Sequence, residues 1–404
     1  MTLIKSVFEL LKYKYRDGKV ENMVYGASPV LGLFKKVEVP GKSFQVGMKY
    51  SSTNNRSATF ADSQSGTDYG KTLQWFITAS KNYNVARVDL ETILSAKNNT
   101  MGFADAVEFE VSSAIEALNR DIAHTMYKDG SGTVGVISAI NTGTNVITFT
   151  SIAACRELEV GSRIEGSANA DLSSPNANTL TVVAIDREAG TVTYTGTDTS
   201  WTTGYYVFQK GDANAKFKGL AAWLPSGAGR AAALAASFFG VVRSADASRL
   251  GGLTFDCTGK TIFDSLIEAE TRLRTIGGDA PDLIIMSAAD EAALKQEVAG
   301  KYTIGNAPGN GCAISYESIT LHSMRGSVKI VVDDSLDQGT AYMLKKDTWE
   351  IGYLGDSIVN TWEQDGLKSL RMDSQDGLEI RFFSFIQPYC RAPGKNLVMT
   401  NLQS

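Results

Sequence analysis

The chain has 404 residues, 43% apolar and 21% charged, ordinary globular values that exclude a disordered, collagen-like or coiled-coil chain and leave room for about two to three structural units. Lysine and arginine number 39 against 44 acids, a net charge of −5, so the global basic footprint of a duplex nucleic-acid binder is missing. With only His124 and His322, histidine-based catalysis or a histidine-rich metal site has little material.

Charges interrupt the apolar run of residues 1–20, which therefore reads neither as a signal peptide nor as a membrane span. No later window is uninterruptedly apolar over the ~18 residues a span needs, and a soluble, cytosolic chain without membrane contact is expected. Cys155, Cys257, Cys312 and Cys390 form no CxxC pair, which argues against a zinc ribbon or a thioredoxin motif and for buried, reduced thiols.

Residues 1–40 read as an arm and lead-in. Lys5, Lys12, Lys14, Arg16 and Lys19 make the arm mildly basic, suited to lying against a neighbouring chain or an anion. In 41–80, Phe44, Val46, Met48 and Tyr50 alternate with smaller or polar residues, and Leu73, Trp75 and Ile77 restore the alternation after a polar stretch from Ser51 to Lys71. Period two on both sides of a polar tip predicts a long projecting hairpin. Loops of that length inside compact domains are commonly functional or disordered.

From Asn98 to Tyr127 the period changes. Phe103, Val107, Val111, Ile115, Leu118, Ile122 and Met126 recur every three or four residues, one apolar stripe on one long helix. The helix should stop at the glycine-rich exit Asp129 to Gly132. Between Val134 and Lys210 short β-runs alternate with Asn, Gly and Ser turns, predicting an inserted small barrel or sandwich. Three arginines (Arg156, Arg163, Arg187) stand there against seven acids, so most of the net negative charge is assigned to this insertion.

A mixed α/β region follows. Thr258 is the predicted cap of a helix carrying Ile262, Leu266, Ala269, Leu273 and Ile276, and Ser287 that of a second helix after the strand Asp282 to Met286. Strands are predicted at 328–333, 341–345 and 349–353. The tail should form a hairpin from 367–372 and 378–388.

Several short motifs approach enzyme signatures and fail. The Gly259-Lys260-Thr261 run resembles a phosphate loop, but Thr254 occupies the position that needs glycine. The Gly355-Asp356-Ser357 block has no histidine after it to act as base. The acids of 333–339 suggest a calcium loop, yet Gln338 and Leu344 stand where Gly and Glu are required. The run Gly305 to Gly311 lacks the spacing of a dinucleotide loop. No catalytic, cofactor-binding or metal-binding residue is assigned.

The order of arm, hairpin, long helix, β insertion and α/β unit resembles the major capsid proteins of tailed bacteriophages, built on the Hong Kong 97-type capsid fold. The phrases Lys218 to Pro225 (KGLAAWLP) and Arg391 to Leu397 (RAPGKNL) share that resemblance. It implies an α+β fold with an extended hairpin loop at 41–80, a peripheral domain with a spine helix at 81–133, an inserted all-β domain at 134–210, a mainly axial domain at 211–360, and return strands of the peripheral domain at 361–404.

By the same resemblance the chain is a non-enzymatic shell subunit of a phage head, assembled in the host cytoplasm into hexamers and pentamers around double-stranded DNA. Its partners would be copies of itself, with scaffolding, portal and decoration proteins, and weak non-specific contact with packaged DNA; any scaffold would come from another chain. The hairpin residues implied in inter-subunit contact are Lys49, Arg56, Phe60, Asp62, Tyr69, Lys71 and Trp75, and Gly305, Gly309 and Gly311 would form an axial loop. Some relatives crosslink a hairpin lysine to an asparagine, for which Lys49 and Lys71 qualify by position only. An encapsulin-like compartment on the same fold and, further off, a hydrolase with a β accessory domain are the alternatives.

Overall fold

The computed structural model describes residues 29–89, 100–176, 178–299, 320–323, 326–363, 369–372 and 376–402. The basic arm with Lys5, Lys12, Lys14, Arg16 and Lys19, the glycines Gly305, Gly309 and Gly311, and Cys312 lie outside the described residues. The chain divides into two units, one of 1–31, 79–222 and 353–387, the other of 32–78, 223–352 and 388–404.

In the first unit the long helix runs Thr100–Thr125, within the range its apolar period predicts. Val111, Ile115, Leu118, Ile122 and Met126 are buried, so the stripe is the packed face. The helix lies on the strand Ser80–Asp89, where Asn84 Nδ2 donates to the Ala114 carbonyl at 2.7 Å. That strand pairs antiparallel with Gly377–Ile386 in continuous register, Val85 opposite Arg381 and Ala86 opposite Ile380.

This pairing corrects the tail expectation. The predicted hairpin partner survives only as Leu370–Arg371, whereas the ten-residue strand at 80–89 supplies most of the ladder. Its residues SKNYNVARVD carry few apolar side chains, so its local pattern is weak and its place comes from the helix on one face.

Residues 133–209 form a closed six-stranded barrel. Tyr206–Gln209, Thr133–Asn141, Val146–Phe149, Thr191–Thr195, Leu180–Asp186 and Arg163–Ser167 follow one another round it, and the last pairs back to the first. Closure leaves no free sheet edge. Ile137, Ile147, Ile164, Leu180, Val182, Val192, Tyr194 and Val207 fill the inside with Trp201 and Cys155. That core draws only on the insertion itself.

The second unit holds a six-stranded mixed sheet in the order Leu253–Asp256, Leu397–Thr400, Thr340–Leu344, Leu283–Met286, Gly326–Val332, Thr320–Ser323. The helices Ile262–Arg272 and Ala288–Ala299 pack on it through Ile262, Leu266, Ala269, Leu273 and Leu294. The strand Leu397–Thr400 lies parallel to Leu253–Asp256, so this segment belongs to the mixed sheet. The hairpin also falls in this unit.

Two local expectations need revising. The first helix is capped by Thr261, whose hydroxyl accepts from the Asp264 amide at 3.2 Å; Thr258 instead closes a turn on the Asp256 carboxylate. Ile276 is half exposed, because the helix widens to a π-type turn over Leu273–Gly277 and rotates it off the core. Ser287 does cap the second helix, accepting from the Asp290 amide and donating to its carboxylate.

Candidate assembly surface

The hairpin is a two-stranded ribbon of Ser43–Ser51 and Lys71–Thr78. Phe44 stands opposite Ile77, Val46 opposite Trp75 and Met48 opposite Leu73, apolar cross-strand pairs that fall on one face because the side-chain period is two. The other face carries Gln45, Lys49, Gln74 and Phe76 and is exposed. Isolated hairpins are marginal in water, so the ribbon needs something to pack on.

Its base finds that support within the unit. Trp75 and Ile77 are fully buried. Trp75 meets the rings of Trp223 at 5.2 Å and Phe238 at 6.0 Å, both edge on, and Phe44 meets Tyr389 at 5.1 Å. The Phe76 amide donates to the Phe239 carbonyl at 3.0 Å. Trp75 was expected among the inter-subunit contacts; it is instead a core residue of its own chain, since the inward face of the ribbon aims it at the aromatic cluster.

A buried arginine completes this anchor. Arg243 stacks 4.0 Å from the Phe238 ring centroid and donates to the carbonyls of Trp223 at 3.1 Å and Ala233 at 3.2 Å. Burial pushes its guanidinium down to about 10, with Arg230 adding to the effect. Arg230 in turn donates to the carbonyls of Pro225 and Gly252, each at 2.6 Å. The two guanidiniums satisfy carbonyls of an irregular segment that has few ladder partners. Reading from sequence missed both, for an arginine in an alanine-rich stretch reads as a surface charge.

The tip, 52–70, is different in kind. Phe60–Ser65 forms a short helix capped by Thr59, a feature absent from the sequence expectation of a polar loop. Asn55 braces the tip: its Nδ2 donates to the Asp68 carbonyl and its Oδ1 accepts from the Asp68 amide, both at 2.9 Å, while Ser63 Oγ donates to the Asn55 carbonyl at 2.7 Å. The loop is thus ordered by its own polar side chains. Phe60 and Tyr69 are 80% and 81% exposed, and Arg56 and Asp62 are exposed beside them. Lys49 and Lys71 are exposed below the tip, where Lys71 approaches Asp68 at 3.8 Å and Arg249 donates to the Tyr50 carbonyl at 2.8 Å.

Six of the seven hairpin residues singled out from sequence therefore lie together on the exposed tip and its approaches. Among the described residues no group of three His, Cys, Asp or Glu side chains is placed to hold a metal ion. Three of the near-motifs have structural explanations. The amides of Ile262 and Phe263, where a phosphate would sit, each donate to the Glu297 carboxylate at 3.0 Å. Ser357 is bracketed by Asn360, which accepts from its amide and donates to its carbonyl. The 333–339 segment is a turn in which Asp333 accepts from Ser335, and Gly339 donates to the buried Asp290.

No protein-family model matches the sequence, and no curated protein matches it. The fold does match solved structures. It aligns with the cyanophage A-1(L) capsid asymmetric unit at a TM-score of 0.52 and 11% identity, over 93% of this chain and 93% of that one. The capsid of the native GTA particle aligns at 0.48 and 8% over 93% and 90%. The holo-SrpI encapsulin complex of Synechococcus elongatus PCC 7942 aligns at 0.45 and 8% over 93% and 87%. The first of these alignments shows a shared fold, and the architecture is a mixed α/β one. It is the Hong Kong 97-type capsid fold, here with a small β-barrel subdomain.

Proposed function

We propose that the chain is a major capsid subunit that assembles with copies of itself, through the hairpin, into hexamers and pentamers of an icosahedral phage head around double-stranded DNA. The carrying observation is the tip: a loop ordered by internal hydrogen bonds that nevertheless holds Phe60 and Tyr69 in water. Ordering a loop costs about 1–2 kcal/mol per residue in conformational entropy, and a preorganised surface lowers what association must then supply. Large apolar side chains on such a surface suit burial by a neighbouring copy. In this reading the long helix is the spine of a peripheral domain, the mixed sheet belongs to the axial domain, and the acidic barrel faces away from the packaged DNA.

Replacing Ser51 to Gly70 by a short turn, followed by electron microscopy and sedimentation, tests the reading. A folded chain that forms no particles is expected; particles of ordinary size and yield would refute it. Nucleic acid recovered from intact wild-type particles separates a phage head from an encapsulin-like compartment.

A further inference from the structure

The barrel joins the rest of its unit through a narrow neck. The two connecting stretches pair with each other: the amides of Asn214, Gly219 and Leu220 donate to the carbonyls of Ser131, Lys128 and Met126 at 2.7, 3.0 and 2.7 Å. The contact is close enough that a Cβ on Gly132 would lie 2.3 Å from the Asp212 carbonyl oxygen. Around this neck the barrel and the long helix meet through charged side chains. Glu159 of the barrel is held between Arg120 of the helix at 2.6 Å and Arg187 of the barrel at 3.1 Å. Glu157 pairs with Lys128 at 2.5 Å, and Lys128 also donates to the Thr133 carbonyl at 2.6 Å. Lys216 sits between Asp121 of the helix at 2.8 Å and Asp212 at 3.0 Å, and Asn82 donates to Asp121.

Among the described residues the barrel core takes none from the long helix, and the junction contacts named above are polar. The pairs also differ in exposure. Lys216 is 10% exposed and Glu157 and Lys128 are intermediate at 21% and 23%, whereas Arg120, Glu159 and Arg187 are each more than 40% exposed. Salt screens exposed pairs far more than buried ones, and an exposed pair is individually weak. Burial lowers the Lys216 ammonium, but Asp121 and Asp212 outweigh it and leave it raised, which keeps that inner station charged.

We propose that this junction is an ionic latch, in which Lys216 and the paired neck form a pivot while the Glu157 and Glu159 pairs hold the barrel in one orientation on the helix. Removing or screening the outer pairs lets the barrel turn while both sides stay folded. The latch is a property of the single chain and stands or falls apart from the assembly reading.

Spin labels at Ser113→Cys on the helix and Val183→Cys on the barrel would report it. Both sites are exposed, the three described cysteines are buried, and Cys312→Ser removes the fourth. Labelled full-length chain is diluted into unlabelled chain, and the distance distribution is measured by pulsed electron resonance. A single narrow distance is expected at ~50 mM salt, with at least about a twofold broadening at ~1 M salt, where the screening length falls to ~3 Å. The same broadening is expected in Glu157→Gln/Glu159→Gln at low salt. A distribution that stays narrow in the double variant and at high salt overturns the latch. Broadening accompanied by loss of slow hydrogen exchange at Ile147 and Val192 also overturns it, because the barrel would then be unfolding and not turning.

Discussion

Trp75 and Trp223 meet edge to face with ring centroids 5.2 Å apart, both fully buried. One comes from the hairpin, the other opens the segment that Arg243 and Arg230 hold by their carbonyl contacts. The contact turns a marginal ribbon into a rigid extension of its unit.

Trp75→Ala should therefore act as a core mutation, with a cost of about 3–5 kcal/mol, the usual range for a buried tryptophan. Urea denaturation followed by far-ultraviolet circular dichroism measures it. A loss below about 1 kcal/mol would place Trp75 outside the core.

The tip predicts the opposite pattern. Phe60→Ser and Tyr69→Ser remove exposed rings whose loss should move stability by no more than about 0.5 kcal/mol. Particle yield in the same preparations should fall sharply, and Asn55→Ala, which removes the brace, should lower it with the rings intact. Unchanged yield in the Phe60→Ser/Tyr69→Ser variant would take these rings out of the interface.

Two glycines of the barrel region separate conformation from crowding. Gly132 has φ +78° with the Asp212 carbonyl oxygen 2.3 Å from a would-be Cβ, while Gly161 has φ +92° and open space around it. Gly161→Ala should carry only the left-handed backbone penalty of about 1–2 kcal/mol. Gly132→Ala should cost clearly more, since the neck must part to admit the methyl group. Thermal unfolding of the two variants side by side gives the comparison, and equal costs would mean that the neck yields freely.

Acid should weaken the second unit at an identifiable site. The Lys395 ammonium, 2.9 Å from Asp279, holds that carboxyl below the usual carboxylate range; partial burial opposes it, and Lys345 adds to the lowering. A carboxylate whose folded value is depressed contributes stability above its unfolded value of about 3.9, and that contribution is lost as pH falls through the folded value. Asp279→Asn should thus cost up to about 1 kcal/mol at pH 7, the range of an exposed pair. It should also flatten the loss of stability below pH ~4. Urea midpoints between these conditions test it; an unchanged acid slope would mean that the pair carries no linkage.

Much of the architecture was legible because burial imposes periodicity. The stripe from Val111 to Met126, the alternation of Phe44 to Met48 with Leu73 to Ile77, and the six β-runs of the insertion each announce an element and its buried face. The exposed half of the candidate surface followed as well, since a long polar stretch between two alternating strands leaves little else for a tip to be. The tip helix did not, because Thr59 and Asp62 make a cap that differs little from loop composition.

Partnership was the part that only the tertiary structure decided. A period of two says that Trp75 points to one face but not whether its own chain or another covers it; Trp223 and Phe238 are 148 and more residues away and settle that in favour of its own chain. The strand Leu397–Thr400 is as apolar as any, yet only the parallel register with Leu253–Asp256 assigns it to its sheet. The weakly patterned 80–89 strand takes its place because the long helix and Gly377–Ile386 jointly cover it. Side-chain period is a local property, dictated by backbone geometry residue by residue. The choice among distant surfaces of similar hydrophobicity depends on how all of them pack at once, and no window of the sequence contains that comparison.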